Sequence, residues 1–231
     1  MDKIFHIAVD GPVAAGKGTV CRLVATKLGI LYVDTGAMYR VAALVAKNHG
    51  LDFDQEEKIL PFLEKAKIDL QTPNKNEKDG RLITVLLDGE DVSWKIRTEE
   101  FSFGSSTISK LKKVRQVLVK KQQEIAERKS VVMEGRDITY RVLPNADLKI
   151  YLTGSNLVRA KRRHTQLLIK GQDISFDKVH QDMMDRDKQD SERGIDPLKI
   201  VDDAWVIDTS DLSIEEVVDI IIDRVKAIKA G

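Results

Sequence analysis

The stretch "VDGPVAAGKGTV", residues 9–20, constrains the fold more than any other part of the chain. An apolar run, "KIFHIAVD", enters it and an amphipathic run leaves it, so a buried strand hands over to a helix within a few glycine-rich residues. Gly11, Gly16 and Lys17 match the spacing G-x-x-x-x-G-K-[ST], in which backbone N–H groups and a helix N-terminus surround a phosphate. Gly18 stands where Ser or Thr is expected, and Thr19 follows one position late. The strand–loop–helix context favours a phosphate site over a glycine-rich turn that binds nothing.

Downstream, Val20, Leu23, Val24 and Leu28 share one helical face that closes at Gly29. "ILYVDTG" reads as a second strand and "AMYRVAALVAKNHG" as a second helix ending at Gly50. This alternation predicts an α/β protein with a doubly wound parallel sheet, to which "SVVMEGRD", "ADLKIYLTG" and "AWVIDT" add strands three to five. The middle interrupts the rhythm. After a short helix, "FDQEEKILPFLEKA", residues 67–93 alternate β-rich runs with Gly, Asn and Asp, as a small antiparallel sheet would. The acidic "DGED" at 88–91 reads as its hairpin turn in preference to a metal site. Helix is expected over 98–128, about 155–170 and 175–191, and from a capping box formed by Ser213 and Glu216 to the end.

Composition narrows the function. Hydrophobic residues are 42% and charged residues 32% of 231, and 38 basic against 37 acidic side chains leave a formal net charge of +1. That balance suits a globular chain with a real core and argues against a nucleic-acid partner. A single cysteine, Cys21, excludes an intrachain disulfide, and the four histidines are scattered without metal spacing. No apolar run reaches the ~18 residues of a membrane span, and the first residues lead directly into a strand, so the expectation is a soluble, cytoplasmic protein without a signal peptide. Balanced charge and a self-contained core predict a monomer.

Three further constellations carry chemistry. "DTGAMYR", 34–40, ends the second strand with Thr35, Gly36 and Arg40 placed to meet an anion or a base, or else is a helix cap followed by a surface arginine. "EGRD", 134–137, ends the third strand, where Glu134 can organise magnesium and its waters and Arg136 and Asp137 face the same cleft; Asp137 alone could be a helix cap. In "RDKQDSERGIDPL", 186–198, Arg186, Asp190 and Arg193 line one helix face, as a site or as a solvated salt-bridge stripe. Arg159, Arg162 and Arg163 add guanidiniums suited to phosphate. No Ser-His-Asp set, nucleophilic cysteine or N-K-x-D signature accompanies them. Phosphoryl transfer needs none of these: it runs on positioning and charge neutralisation, and a phosphate acceptor, largely dianionic at pH 7, needs no general base.

"GPVAAGKGT", "DTGAMYR", the small β insertion, "IRTEE", "VRQVL", "GRD" and "RDxxDSxR…PL", in this order from about residue 4 to residue 225, resemble the bacterial-type cytidylate kinase family. The resemblance implies a three-layer P-loop nucleoside monophosphate kinase fold with a five-stranded parallel sheet. It implies a single domain: a core of about 1–62, 101–155 and 192–231, an acceptor-binding insertion at about 63–100 and a helical lid at about 156–191. It implies phosphorylation of CMP and dCMP by ATP with Mg2+, the metal held mainly through ATP and water rather than by protein ligands. The loop residues Gly11, Pro12, Val13, Ala14, Ala15, Gly16, Lys17, Gly18 and Thr19 would hold ATP, with Arg159 and Arg163 of the lid. The acceptor would meet Thr35, Arg40, Ser106, Arg115, Arg136, Asp137, Arg186, Asp190 and Arg193, and Lys17, Arg136, Arg186 and Arg193 would stabilise the transferring charge.

The family pattern "DGRDIGT" reads "EGRDITY" here, so Glu134 reaches further than aspartate, Thr139 and Tyr140 are expected to add bulk at the cleft wall, and Arg141 to add charge there. The competing readings are a kinase of another small acceptor, such as UMP, AMP or shikimate, and a non-catalytic P-loop module that binds nucleotide. The Lys-Gly-Thr order of residues 17–19, shared by the resemblance with nucleoside monophosphate kinases, favours a kinase over a GTPase or motor.

Overall fold

The computed structural model describes residues 4–74, 77, 79–169 and 171–230. Lys3 of the first expected strand, part of the "PNKNEKDGR" turn, Lys170 at the end of the first expected lid-region helix (about 155–170) and Gly231 lie outside the described residues.

Five parallel strands form the main sheet: β1 (His6–Asp10), β2 (Leu31–Asp34), β6 (Val131–Gly135), β7 (Leu148–Thr153) and β8 (Trp205–Asp208). Their order is β2-β6-β1-β7-β8, with β1 at the centre. Ile7, Val9, Val33, Val131, Met133, Ile150 and Leu152 are buried, as strands covered on both faces require. The chain leaves β1 toward β2 on one side, while β7 and β8 build the other, so the loop after β1 sits at the reversal point where open α/β sheets collect ligands.

Helix α1 (Lys17–Leu28) ends at Gly29, whose φ of 67° supplies the left-handed stop. Helix α2 (Thr35–Asn48) is almost wholly buried along its Ala- and Val-rich length. After α3 (Glu56–Lys65), strands β3 (Ile68–Gln71), β4 (Thr84–Leu87) and β5 (Glu90–Asp91) make the separate antiparallel sheet. Asp88 and Gly89, with φ of 52° and 90°, close the β4–β5 hairpin, so the acidic "DGED" is turn and strand. A 3-10 turn at Lys95–Arg97 leads into α4 (Glu99–Ile108), and α5 (Lys112–Arg128) follows; the expected single helix over 98–128 is broken at 109–111. Extended backbone at Leu111 makes the break, and the Arg115 guanidinium donates to the Ser109 carbonyl there.

Beyond β7, α6 (Asn156–Ile169) and α7 (Phe176–Glu192) pack on each other, and α8 (Ile214–Ala230) packs against α1. The capping box is formed: Ser213 N–H donates to Glu216 at 2.7 Å and Glu216 N–H to the Ser213 hydroxyl at 3.2 Å. Among the described residues, no helix is long and apolar enough to cross a membrane.

Candidate active site

The loop between β1 and α1 is shaped by close approach. A Cβ on Gly11 would lie 2.0 Å from the Leu152 carbonyl oxygen of neighbouring β7, so only glycine lets the chain turn there. Ala14 adopts φ 57° and Gly16 φ 90°, curling the backbone over the N-terminus of α1, which no side chain caps. Its first N–H groups are therefore free for an anion, and the helix dipole favours one. Lys17 is buried and donates to the carbonyls of Gly11 and Pro12, each at 2.7 Å. Burial, with the charge of Arg136 second, pushes its ammonium pKa down. An incoming anion would oppose both effects.

Two carboxylates face this loop. Asp34 caps α2 through the Ala37 N–H at 3.0 Å and pairs with Arg97 at 2.9 Å. Burial alone would raise its pKa, but Arg97 and Arg40 outweigh it and hold the carboxyl below the usual range. Glu134, at the end of β6, accepts from the Tyr32 hydroxyl at 2.5 Å. Its pKa is raised, first by burial and then by the charge of Asp34. A Cβ on Gly18 would stand 3.2 Å from Glu134 Oε1 and 3.4 Å from the Tyr32 hydroxyl. The missing Ser/Thr of the loop thus has a structural counterpart: the carboxylate and phenol occupy the space a side chain would need.

A cleft of about 340 Å³ opens between this loop, α2, α4, the β6 end and α7. Its arginines divide by partner. Arg115 is fully engaged, with Asp137 and with Asp196 at 3.0 Å. Arg136 pairs with Asp190 at 2.7 Å, and Arg193 donates through Nε to the Asp196 carbonyl at 2.7 Å. Arg40 and Arg186 differ: the Nε of each is buried without a hydrogen-bond partner, and neither makes an ion pair among the described residues. Burial lowers the Arg40 pKa to about 10; at Arg186 burial and then the charge of Arg136 also lower it. Two partly desolvated cations in one cleft, near carboxylates but hydrogen-bonded to none among the described residues, keep donor capacity for an anion.

Of the residues singled out from sequence, Val13, Ala14, Gly16, Lys17, Gly18, Thr19, Thr35, Arg40, Arg115, Arg136, Asp137, Arg186, Asp190 and Arg193 converge on this cleft. Gly11, Pro12 and Ala15 shape the loop from behind. Ser106 lies outside the wall, accepting from Gln189 at 2.7 Å, and Ser105 and Ser109 face the cleft instead. Arg159 is also outside it, engaged with the Gly154 carbonyl, the Val13 carbonyl and Asp187. Arg163 is one-third exposed, 3.9 Å from Glu99. Sequence reasoning passed over Arg97, Tyr32 and Asp196. Arg97 lies within the quoted "IRTEE", but no local signal marks the other two, whose partners are 102 and 81 residues away.

The sequence model of the cytidylate kinase family ("Cytidylate kinase") matches residues 7–227. The chain belongs to the cytidylate kinase family. It is 44% identical over 230 residues to the cytidylate kinase of Bacillus cereus, covering 100% of both chains. It is likewise 44% identical over 218 residues to that of Bacillus anthracis, covering 94% of each. Among solved structures, an uncharacterized protein from Eubacterium ventriosum shares the fold, with a TM-score of 0.52 at 14% identity over 97% of this chain and 99% of that one. The chain is thus an enzyme, a kinase.

Where the chain departs from the family pattern, the structure corrects one expectation. Thr139, Tyr140 and Arg141 do not line the cleft. Thr139 is buried behind it, donating through both its hydroxyl and its N–H to the wholly buried Asp10, at 2.6 and 2.8 Å. Tyr140 donates to the Pro197 carbonyl at 2.6 Å, and Arg141 is half-exposed beside Asp196. The π-type turn at Ile138–Val142 directs all three away from the cleft, so their bulk braces the Arg136–Asp137 turn from outside. Asp137 is no helix cap: its side chain makes no capping bond and is spent on Arg115.

Proposed function

We propose that the cleft performs in-line transfer of the terminal phosphoryl group of ATP to the phosphate of CMP or dCMP. The observation that carries this reading is the pair Arg40 and Arg186, two half-buried guanidiniums whose buried Nε atoms lack a hydrogen bond and which form no ion pair among the described residues, lining the same cleft as the uncapped N-terminus of α1. One end of the cleft is thus built for the donor's phosphates and the other for the acceptor's.

Lys17 would leave the Gly11 and Pro12 carbonyls for the donor's terminal phosphates, and charge developing on the moving group would meet Lys17, Arg136, Arg186 and Arg193. An acceptor phosphate oxygen forms the new bond to phosphorus as the bond to the bridging oxygen breaks, leaving ADP. No base is required, because the acceptor phosphate is already ionised. Asp137 and Arg115 would exchange part of their mutual pairing for the acceptor and donor edges of the base, with Ser106 a neighbour on α4, and Asp190 would face the sugar. Magnesium neutralises phosphate charge when it arrives with ATP. Glu134, Asp34 and Thr19 flank the loop mouth and suit a cation reached through water, an arrangement of few protein ligands typical of magnesium. The antiparallel sheet at 63–100 serves as the acceptor-binding insertion and 156–191 as the lid, with Arg163 toward ATP, in a cytoplasmic monomer.

A coupled assay with ATP as donor and CMP, dCMP, UMP and AMP as acceptors tests the proposal. CMP- and dCMP-dependent ADP formation is expected, and its absence with magnesium present overturns the reading. Lys17→Ala is expected to abolish most turnover while the protein stays folded, because among the described residues the ammonium hydrogen-bonds two loop carbonyls and no side chain.

A further inference from the structure

The motif "RDKQDSER" contains a residue that the reaction above leaves without a role, Asp187, and its surroundings are specific. Asp187 Oδ1 accepts from the Val13 N–H at 3.3 Å, and Oδ2 pairs with Arg159 Nη1 at 2.7 Å. The same Arg159 Nη1 donates to the Val13 carbonyl at 3.0 Å, while its Nε donates to the Gly154 carbonyl at 2.9 Å. Both polar backbone groups of one phosphate-loop residue are therefore held by side chains from α6 and α7. Arg159 is 3% exposed, so this contact is built into the interior rather than lying on the surface.

The next residue explains why such a grip is needed. Ala14 is one of only three non-glycine positions with positive φ among the described residues, at 57°. A left-handed alanine is strained, and such strain persists only where the surroundings over-determine it. On the far side of Ala14 and Ala15 the chain is held by the hydrogen bond from Val20 N–H to the Gly16 carbonyl, at 3.0 Å. On the near side Lys17 Nζ binds the Gly11 and Pro12 carbonyls, and at Val13 itself, among the described residues, Asp187 and Arg159 hold both backbone groups.

We infer that Asp187 and Arg159 are positioning residues for the donor site: together they clamp Val13 and keep the loop in the curled form that binds phosphate. Arg159 acts through the loop backbone rather than by touching ATP. The clamp joins the loop to both helices of the lid region, so loop shape and lid position are set together. The inference rests on the donor-site reading proposed above. On the acceptor side, built on Arg40, Arg186 and Arg193, no hydrogen bond to Val13 is formed among the described residues.

The test is a set of variants, Asp187→Ala, Asp187→Asn, Arg159→Ala and the double variant. Each is measured for KM of ATP, KM of CMP and direct ATP binding by titration calorimetry. Asp187→Ala is expected to weaken ATP binding about tenfold and leave the KM of CMP within about twofold, the size expected for one coupled network. Asp187→Asn keeps the volume and an acceptor for Val13 but loses the charge facing Arg159, so it should fall in between. The double variant should be no worse than the stronger single one. Adding Ala14→Gly to Asp187→Ala should recover most of the lost ATP affinity, because glycine needs no clamp to hold positive φ. An equal rise in both KM values, unchanged ATP binding, or additive single effects would overturn the clamp. Wild-type protein that binds ATP but transfers nothing to CMP would instead overturn the proposed reaction, and calorimetry would still read the clamp.

Discussion

Gly18→Ala puts the relation between the loop and its carboxylate to a direct test. The new Cβ would lie 3.2 Å from Glu134 Oε1, 3.4 Å from the Tyr32 hydroxyl and 3.9 Å from Leu82 Cδ1. The first two atoms form a 2.5 Å hydrogen bond between buried side chains of adjacent strands, so they must yield together by a few tenths of an ångström. Disturbing a charge-assisted bond of this kind costs about 1.5–3 kcal/mol. Replacing glycine inside the first turn of α1 returns about 1 kcal/mol of helix propensity. The net loss of stability is therefore about 1 kcal/mol, a fall of roughly 2–4 °C in the melting midpoint. Activity should also fall, because Lys17 and Glu134 flank the same backbone; where a 1 Å misplacement costs on the order of a hundredfold, a shift of a few tenths of an ångström should cost roughly threefold to tenfold. Coupled ADP release at saturating CMP, alongside a thermal melt, reads both quantities. Glu134→Asp withdraws the carboxylate by one methylene, so the Gly18→Ala/Glu134→Asp double variant should regain much of the lost rate. Full activity in Gly18→Ala alone, or no recovery in the double variant, would refute the steric coupling.

Asp190→Asn should destabilise the protein by about 2–3 kcal/mol at pH 7, since it leaves Arg136 partly buried without its partner. Burial alone would raise the Asp190 pKa, but Arg136 and Arg186 hold it below the usual range. Its stabilisation is thus present above the ordinary carboxylate pKa of about 4 and vanishes as pH falls through the lowered value. Denaturant melts of the two proteins should converge in acid, and a gap that widens there would count against the pairing. Gly135→Ala brings a Cβ to 2.6 Å from Thr35 Oγ1 and 2.8 Å from Ile138 Cδ1. Overpacking of that order should lower the melting midpoint by roughly 5 °C, measurable by scanning calorimetry. Tyr140→Phe removes the bond to the Pro197 carbonyl and should cost about 1 kcal/mol while turnover changes less than about twofold, because the ring lies outside the cleft.

The sequence by itself determined the α/β class, the five parallel strands, the phosphate loop and the convergence of three charged motifs. Each of these depends on local pattern: apolar runs of strand length, a helical face closing at Gly29, glycines at fixed spacing, and motifs at strand ends. Tertiary structure alone decided which charge serves which partner. Arg115 meets Asp196 across 81 residues, Arg97 meets Asp34 across 63, and Val13 meets Asp187 across 174. Such pairs leave no periodic trace, because either member is an ordinary charged residue in its own segment. The same reason explains Thr139 and Tyr140, whose bulk points behind the cleft once the π-type turn is formed. It also explains Gly18, a local mismatch in the loop whose cause, the Glu134–Tyr32 pair, stands on two other strands. Local periodicity selects elements; only packing pairs some arginines with carboxylates and leaves the Nε of Arg40 and of Arg186 without a hydrogen bond among the described residues.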